Sequence, residues 1–258
     1  MEGRRVTAAI KDRYQTIVPV GSIIAITYQS PRENHGESQM KQKKASFAGM
    51  LDQQMQMLSV GKEENSTFQI YSYEPDAYMQ RLGISKEKQK KINEAMFQNK
   101  LWDTSDQGLG TPDEFLQKFI AGAPELADEI TKIHKTVGNT VELFPYAMEW
   151  ILDLKARGYH VYILSNYSEN MLDQTKDKLK FLPLMDGVVF SYKIKKMKPD
   201  PEIYEYLCDE YWLEPEESVF IDDRPVNIKG AETCGIHGIV FRSYEQAKKE
   251  LDEFLKEF

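Results

Sequence analysis

The fold is indicated most directly by the segment Ser218-Val219-Phe220-Ile221-Asp222-Asp223-Arg224-Pro225-Val226-Asn227. It starts as a short apolar run, Ser218–Asp222, which is typical of a strand buried on both faces of a sheet. Two adjacent carboxylates stand where that run ends, and a helical pattern, Val226–Cys234, follows directly. A strand that ends in acidic residues and leads into a helix indicates a βα unit with its polar end at a ligand site.

The same pattern is repeated along the second half of the chain. Three further short apolar runs predict strands: His160–Ser165, Gly187–Ser191 and His237–Phe241. Amphipathic helical patterns precede or separate them: Tyr146–Arg157, Glu169–Leu179 and Pro201–Trp212. Repeated βα units predict an α/β fold with a doubly wound, Rossmann-like parallel sheet, whose ligand site lies at the carboxyl ends of the strands.

A helical module precedes this region. Its predicted helices are Asp76–Leu82, Glu87–Asn99, Thr111–Ile120 and Pro124–Lys135, and Thr111-Pro112-Asp113-Glu114 is a clear helix start. We therefore divide the chain into an α/β core, residues 66–75 and 141–258, and a small α-helical cap, residues 76–140, inserted near its N-terminal side. Residues 1–65 form an atypical N-terminal segment, which is disordered, misread from its gene, or a replacement for the first core strand.

Composition and charge exclude several classes of protein. The 258 residues include 33 Lys and Arg against 41 Asp and Glu, a net charge of −8, which argues against a nucleic-acid binder. Cys208 and Cys234 belong to no CxxC motif, so neither a disulfide framework nor a thiolate zinc site is expected. The apolar stretches are too short to cross a membrane, and we expect a cytoplasmic protein. Composition makes no prediction of oligomeric state.

Polar groups at the predicted strand ends suit phosphoryl chemistry. Ser165-Asn166 ends one strand, Asp222-Asp223 ends another, and Lys198 lies between them in sequence. By the switch-point rule these groups share one edge of the sheet. Adjacent carboxylates suit Mg²⁺, while a lysine and a hydroxyl suit phosphoryl oxygens.

Three motifs, in this order, resemble those of the haloacid dehalogenase superfamily of hydrolases. They are Leu164-Ser165-Asn166, Lys198-Pro199-Asp200-Pro201-Glu202-Ile203-Tyr204 and Phe220-Ile221-Asp222-Asp223-Arg224-Pro225-Val226-Asn227. The sequence is similar to the small-cap subgroup of sugar-phosphate phosphatases, haloacid dehalogenases and the N-terminal phosphatase half of soluble epoxide hydrolases. The resemblance implies a Mg²⁺-dependent phosphatase acting on a small phosphorylated metabolite.

The resemblance also implies residue roles. Ser165 and Lys198 would be catalytic, Ser165 by binding the phosphoryl group and Lys198 by holding both phosphate and nucleophile. Asp223 would ligate Mg²⁺ with Asp222 in support. The substrate-site residues of second rank would be Asn166, Arg224 and Asn227.

Four of these residues also have a purely structural interpretation as helix caps. Ser165 and Asn166 could cap the helix that starts near Ser168, and the two aspartates could cap the helix after Pro225. The run that contains Lys193, Lys195 and Lys196 is interpreted as solvated charge.

The family's first motif is missing from the sequence. That motif is an apolar strand ending in an aspartate that attacks phosphorus. The first 75 residues contain only Asp12 and Asp52, and neither ends such a strand. The chain is therefore a misread gene product, a degenerate relative, or a protein that rebuilds the site with another carboxylate such as Glu63 or Glu64. Ile23–Tyr28 is the first candidate for the empty central strand position and Thr67–Tyr73 the second.

Two functions of different class thus remain. One is the Mg²⁺-dependent phosphatase, and the alternative is a catalytically inactive phospho-ligand-binding or regulatory relative. A dehalogenase without metal is disfavoured because Asp222-Asp223 has the form of a metal site.

Overall fold

The computed structural model describes residues 22–27, 71–144 and 146–256. The strands in these ranges are β1 Ser22–Thr27, β2 Tyr71–Tyr73, β3 Val141–Leu143, β4 His160–Ser165, β5 Gly187–Phe190, β6 Ser218–Asp222 and β7 His237–Val240. The helices are α1 Pro75–Arg81, α2 Lys86–Ile92, α3 Lys100–Asp106, α4 Pro112–Gly122, α5 Ala127–Thr136, α6 Ala147–Ala156, α7 Glu169–Thr175, α8 Ser191–Ile194, α9 Pro201–Tyr211, α10 Pro225–Thr233 and α11 Tyr244–Phe254. None of these helices is long and apolar enough to span a membrane.

The main sheet has the order β5-β4-β1-β6-β7. The pairs β4–β5 and β6–β7 are parallel, as the repeated βα pattern predicts, and the α/β fold class is confirmed. The central strand differs, because β1 runs antiparallel to both β4 and β6. The expectation of a wholly parallel sheet is therefore corrected at this one strand.

The direction of β1 determines which of its ends lies at the candidate site. Ser22 pairs with Ser165, the last residue of β4, whereas Thr27 pairs with His160 and Ser218 at the other edge of the sheet. In a parallel strand the carboxyl end would lie beside Ser165. Here the amino end of β1 takes that place, and its carboxyl end lies at the opposite edge.

The other residues considered for the central position do not enter the sheet within the described ranges. Tyr71–Tyr73, the end of the second candidate, forms a separate two-stranded ribbon with β3. Residues 67–70 lie outside the described residues. Also outside them are Asp12, Asp52, Glu63 and Glu64.

Helices cover the sheet on both faces. Alternate residues of β4 point into two different cores: Val161 and Ile163 into one, Tyr162 and Leu164 into the other. The first core continues into α6, α11 and the helices before β3, and the second is filled by α9 and α10. The strands read as nearly continuous apolar runs because both of their faces are buried.

The helical module, α1 to α5, lies between β2 and β3 in sequence. Its ends meet at the ribbon, where Tyr73 pairs with Val141. Thr111 caps the start of α4, as the sequence predicts, and it also forms a reciprocal capping box with Glu114. The expected helix Glu87–Asn99 is interrupted, since α2 ends at Ile92 and a π-helical turn, Asn93–Phe97, follows. The cap and core boundaries themselves stay a prediction.

The outer edge of the sheet at β5 is closed by a side chain. The hydroxyl of Tyr211, at the end of α9, accepts a hydrogen bond from the Val188 backbone N–H at 2.9 Å. A side chain on Gly187 would collide with the Tyr211 ring, because its Cβ would lie 2.2 Å from a ring carbon. The glycine therefore lets the ring lie directly against the edge strand.

Placing proline in β1 tests its central position. Ala25 pairs on both sides of the strand, with Tyr162 and Phe220, so its backbone N–H faces a buried neighbour in either case. We expect Ala25→Pro to lower the free energy of unfolding by about 1–3 kcal/mol or more, because a ladder donor is lost. Urea denaturation measures the change. Ala25→Gly, which keeps the N–H, is the control, and equal losses in the two variants would contradict the assignment.

Candidate functional site

Asn166, which directly follows β4, forms two hydrogen bonds with the backbone of Lys198, a residue in the loop between α8 and α9. Its side-chain amide donates to the Lys198 carbonyl at 2.9 Å, and its Oδ1 accepts the Lys198 backbone N–H at 2.8 Å. Both residues are buried. Asn166 therefore positions Lys198 through the backbone, so that the lysine side chain enters the sheet edge at a fixed point.

The Lys198 side chain forms a buried ion pair. Its Nζ lies 2.7 Å from Oδ2 of Asp222, and neither side chain has any exposed surface. The ammonium also lies 5.3 Å from the centre of the Phe220 ring, at cation–π distance. Two opposite charges at zero exposure stabilise each other only if their geometry and remaining hydrogen bonds are well satisfied.

The remaining oxygen of Asp222 is satisfied by the start of α10. Oδ1 accepts the Arg224 backbone N–H at 2.9 Å and the Asn227 side-chain amide at 2.9 Å. Asn227 is itself buried, and its carbonyl accepts the Tyr204 hydroxyl at 2.7 Å. Both carboxylate oxygens of Asp222 thus bind protein groups. Asp222 therefore holds the loop after β6 in place.

Asp223 has different surroundings from its neighbour. It is partly exposed, and burial, followed by the negative charge of Asp222, raises its pKa to about 6. The positive charges of Lys198 and Arg224 act in the opposite direction. Of the two adjacent acids, Asp223 is the one placed to meet a ligand or cation that approaches from solvent.

Ser165 ends β4 without any exposed surface. Its Oγ lies 3.5 Å from the Asn166 carbonyl oxygen, and Ser22 is its neighbour across the sheet. The structure thus brings five of the sequence-predicted residues into one set of contacts or adjacent positions: Ser165, Asn166, Lys198, Asp222 and Asn227. Arg224 joins this set through its backbone, and Asp223 joins it as the neighbour of Asp222.

The helix-capping interpretation accounts for little of this set. The cap of α7 is Ser168, whose Oγ accepts the Met171 N–H, and not Ser165 or Asn166. The side chain of Arg224, the residue before α10, makes no capping hydrogen bond, although Asp222 accepts the Arg224 N–H. Helix capping therefore leaves Lys198, Asn166 and Asp223 unexplained.

Contacts between the helical module and the core were not predicted. Lys195, interpreted from the sequence as solvated charge, donates through Nζ to the carbonyl of Gly108, and Gln107 donates to the carbonyl of Lys195. Asp106, at the end of α3, is buried beside the loops that follow β4 and β5. These partners are more than 80 residues apart, and no local pattern in the sequence signals them.

The set of possible metal ligands is small. In the part of the chain that the structure describes, no three His, Cys, Asp or Glu side chains are grouped as metal ligands. Of the two adjacent acids, Asp223 is the better candidate for a hard cation, because both oxygens of Asp222 are already hydrogen-bonded. One carboxylate suits a cation such as Mg²⁺, which keeps several waters and takes its other oxygens from a phosphate.

Comparison with known proteins agrees with the motifs. A family profile described as haloacid dehalogenase-like hydrolase matches residues 63–235. Flavin mononucleotide hydrolase 1 of Arabidopsis thaliana is 25% identical over 155 residues, which cover 59% of this chain and 61% of that protein. Bifunctional epoxide hydrolase 2 of Sus scrofa is 31% identical over 155 residues, covering 57% of this chain and 25% of that protein. The chain thus spans less than two thirds of the length of either relative.

Solved structures give the same fold. A haloacid dehalogenase family enzyme from Bacteroides thetaiotaomicron, in complex with magnesium, superposes with a TM-score of 0.55 at 21% identity. The match covers 68% of this chain and 89% of that one. At this identity the similarity concerns the fold alone.

A double-mutant cycle tests the buried ion pair. We expect Lys198→Met and Asp222→Asn each to lower the free energy of unfolding by about 3–5 kcal/mol, because each leaves the other charge buried and uncompensated. The double variant should lose less than the sum of the two losses by at least about 1 kcal/mol. Urea denaturation gives all four values.

The exposed ion pair between Lys196 and Glu202 is the matched control. Lys196→Met and Glu202→Gln should combine almost additively, because solvent screens this pair. Additive losses at Lys198 and Asp222 as well would show that their proximity contributes nothing to stability.

Proposed function

Since the chain belongs to the haloacid dehalogenase-like hydrolases, we propose that the loops after β4, β5 and β6 bind Mg²⁺ together with the phosphoryl group of a small phosphorylated metabolite of the sugar-phosphate type. The observation that supports this most directly is the buried Lys198–Asp222 pair, held by Asn166 and Asn227 beside Asp223. A fold neighbour crystallised with magnesium gives further support.

The charges of the cluster explain why a cation is needed. Lys198 and Asp222 neutralise each other at 2.7 Å, which leaves the negative charge of ionised Asp223, a partly exposed residue, beside the pair. A phosphate dianion would be repelled by that carboxylate. A divalent cation held by Asp223 would reverse the local sign of charge and could then bind phosphate oxygens.

Different residues would bind the cation and the phosphoryl group and hold the loop in place. Asp223 holds the cation, and Asp222 fixes the loop through Lys198, Arg224 and Asn227. When bound, Mg²⁺ supplies positive charge to the phosphoryl oxygens. Ser165, at the end of β4, is assigned to a phosphoryl oxygen, and the Arg224 side chain to the outer part of the ligand. These roles stay predictions.

The direction of β1 favours binding over turnover. The covalent route of the family needs a carboxylate at the carboxyl end of the central strand, beside the lysine. That end of β1 lies at the opposite edge of the sheet, and Ser22 takes the position next to Ser165. We therefore rank a phospho-ligand-binding function first for this chain.

Phosphatase turnover is the second candidate. One relative is named as a hydrolase of flavin mononucleotide, and the buried Lys198–Asp222 ion pair is present in this chain. Turnover would need a carboxylate from outside the described residues. Cytoplasmic location and the absence of nucleic-acid partners also stay predictions.

Thermal denaturation of the full chain tests the proposal. Mg²⁺ and inorganic phosphate together should raise the Tm by about 5–10 °C at one hundred times the apparent Kd, and each should act weakly alone. We expect Asp223→Asn to abolish the joint shift, because the cation loses its carboxylate. Asp209→Asn, an exposed acid on α9, should leave the shift unchanged.

The same samples separate the two candidates when para-nitrophenyl phosphate and a panel of sugar phosphates are added. Stabilisation without phosphate release supports the binding function, whereas release that disappears in Asp223→Asn moves the phosphatase to first place. If the wild-type chain shows neither thermal stabilisation nor phosphate release, both candidate functions are refuted.

A further inference from the structure

One turn of the helical module lies on both loops that carry the candidate site. We name residues 106–108, Asp106-Gln107-Gly108, the cap turn. It ends α3 and contacts α8, which follows β5. Tyr167, in the loop after β4, is joined to the cap turn through Ser191 at the start of α8.

Hydrogen bonds join the cap turn to both loops. The Ser191 hydroxyl donates to the Asp106 carbonyl and accepts the Tyr167 backbone N–H at 2.9 Å, so one hydroxyl bridges the cap turn and the loop after β4. Gln107 donates to the carbonyl of Lys195 at 3.0 Å, and the Lys195 ammonium donates to the carbonyl of Gly108. Lys195 stands three residues before Lys198 in the other loop.

The backbone of the cap turn fits this contact closely. Gly108 has φ +68°, in the left-handed region that favours glycine. A Cβ at this position would lie 2.5 Å from the Tyr192 carbonyl oxygen and 2.9 Å from its Cα, both of them backbone atoms that cannot move aside cheaply. A side chain at residue 108 would therefore separate the cap turn from α8.

The same contact buries a carboxyl group. Asp106 is 5% exposed, and its Oδ1 has no hydrogen-bond partner among the described residues. Burial raises the pKa of Asp106 well above its usual range, the charge of Asp103 adds to the rise, and a hydrogen bond from the Ser168 backbone N–H opposes it. An ionised carboxylate in this place would carry an uncompensated buried charge.

Among the residues that the structure describes, no positive charge is paired with that carboxylate. The ammonium of Lys195 is engaged with the Gly108 carbonyl. Asp103, on α3 itself, is the charged group that acts on the Asp106 carboxyl, and it acts unfavourably. The other ionisable side chains on the segments packed against α3 are Glu94, Asp113, Glu114, Lys118, Tyr192 and Lys193.

We propose that the cap turn is a pH-dependent docking contact: it lies on the loops after β4 and β5 while Asp106 carries a proton, and ionisation of Asp106 releases it. The proposal rests on the burial of the carboxyl, its unsatisfied oxygen and the hydrogen bonds that surround it. It concerns the position of the helical module and does not depend on which ligand the site binds.

The sign of the pH effect follows from linkage. The docked state binds the Asp106 proton more tightly than the released state, so docking is strongest below the ordinary carboxyl pKa of about 4. As the pH rises from there through the raised pKa of the docked state, release becomes easier by up to about tenfold per pH unit. Above the raised pKa the effect levels off.

Hydrogen–deuterium exchange of the full chain between pH 5 and pH 8 measures this release. After correction for intrinsic exchange, amides of residues 100–110, 166–168 and 191–195 should open progressively more often as the pH rises in the wild-type chain. In Asp106→Asn, a neutral side chain of the same shape, protection should be the same at both pH values. At pH 8 the wild-type segments should exchange at least about tenfold faster than those of Asp106→Asn.

Two further variants fix the interpretation. Asp103→Asn removes an exposed acid from the same helix and should keep most of the pH dependence. Gly108→Ala should expose the same segments at every pH, which defines the released state. A wild-type chain whose protection is independent of pH, or an opening equally large in α10 and α11, would overturn the proposal, as would persistence of the effect in Asp106→Asn.

Discussion

A lysine and an aspartate at zero exposure, 2.7 Å apart, impose conditions on everything near them. Removing two charges from water is costly, and the attraction between them offsets that cost only when the geometry is held closely. Asn166 fixes the backbone of Lys198, while the start of α10 satisfies the second oxygen of Asp222. The ends of β4 and β6 and the start of α9 are thereby joined by one small network. The candidate site consists of this network and the partly exposed Asp223 beside it.

Short apolar runs predicted the strands well because a strand covered on both faces admits few polar residues. The predicted strands His160–Ser165 and Ser218–Asp222 have the observed bounds, and the other two differ by one residue at the carboxyl end. The convergence of Asn166, Lys198 and Asp222 followed from the rule that strand ends share an edge. Local pattern could not reveal the burial of Asp106 or the contact of Lys195, because both depend on segments far away in the sequence.

The central strand can fill the gap in the sheet without bringing its carboxyl end to the candidate site. A gap between β4 and β6 must be filled, because two rows of backbone donors and acceptors would otherwise be left unpaired. Either strand direction can satisfy those rows, since parallel and antiparallel ladders differ mainly in the spacing of their hydrogen bonds. Sequence reasoning therefore identified Ile23–Tyr28 as the candidate but not its direction, and β1 runs antiparallel to both neighbours. A strand of either direction completes the sheet. The direction, however, determines whether the first or the last residue of β1 lies at the candidate site.

The hydrogen bond from the Val188 backbone N–H to the Tyr211 hydroxyl affects how copies of this chain can associate. An uncovered edge strand offers a template on which a strand of another molecule can add, and this is a common origin of swapped dimers and fibrils. At β5 the template is already engaged by a tyrosine whose ring lies against Gly187. A foreign strand would first have to displace that ring and break its hydrogen bond. This end of the sheet is thus protected against growth by a single side chain carried on the last turn of a helix.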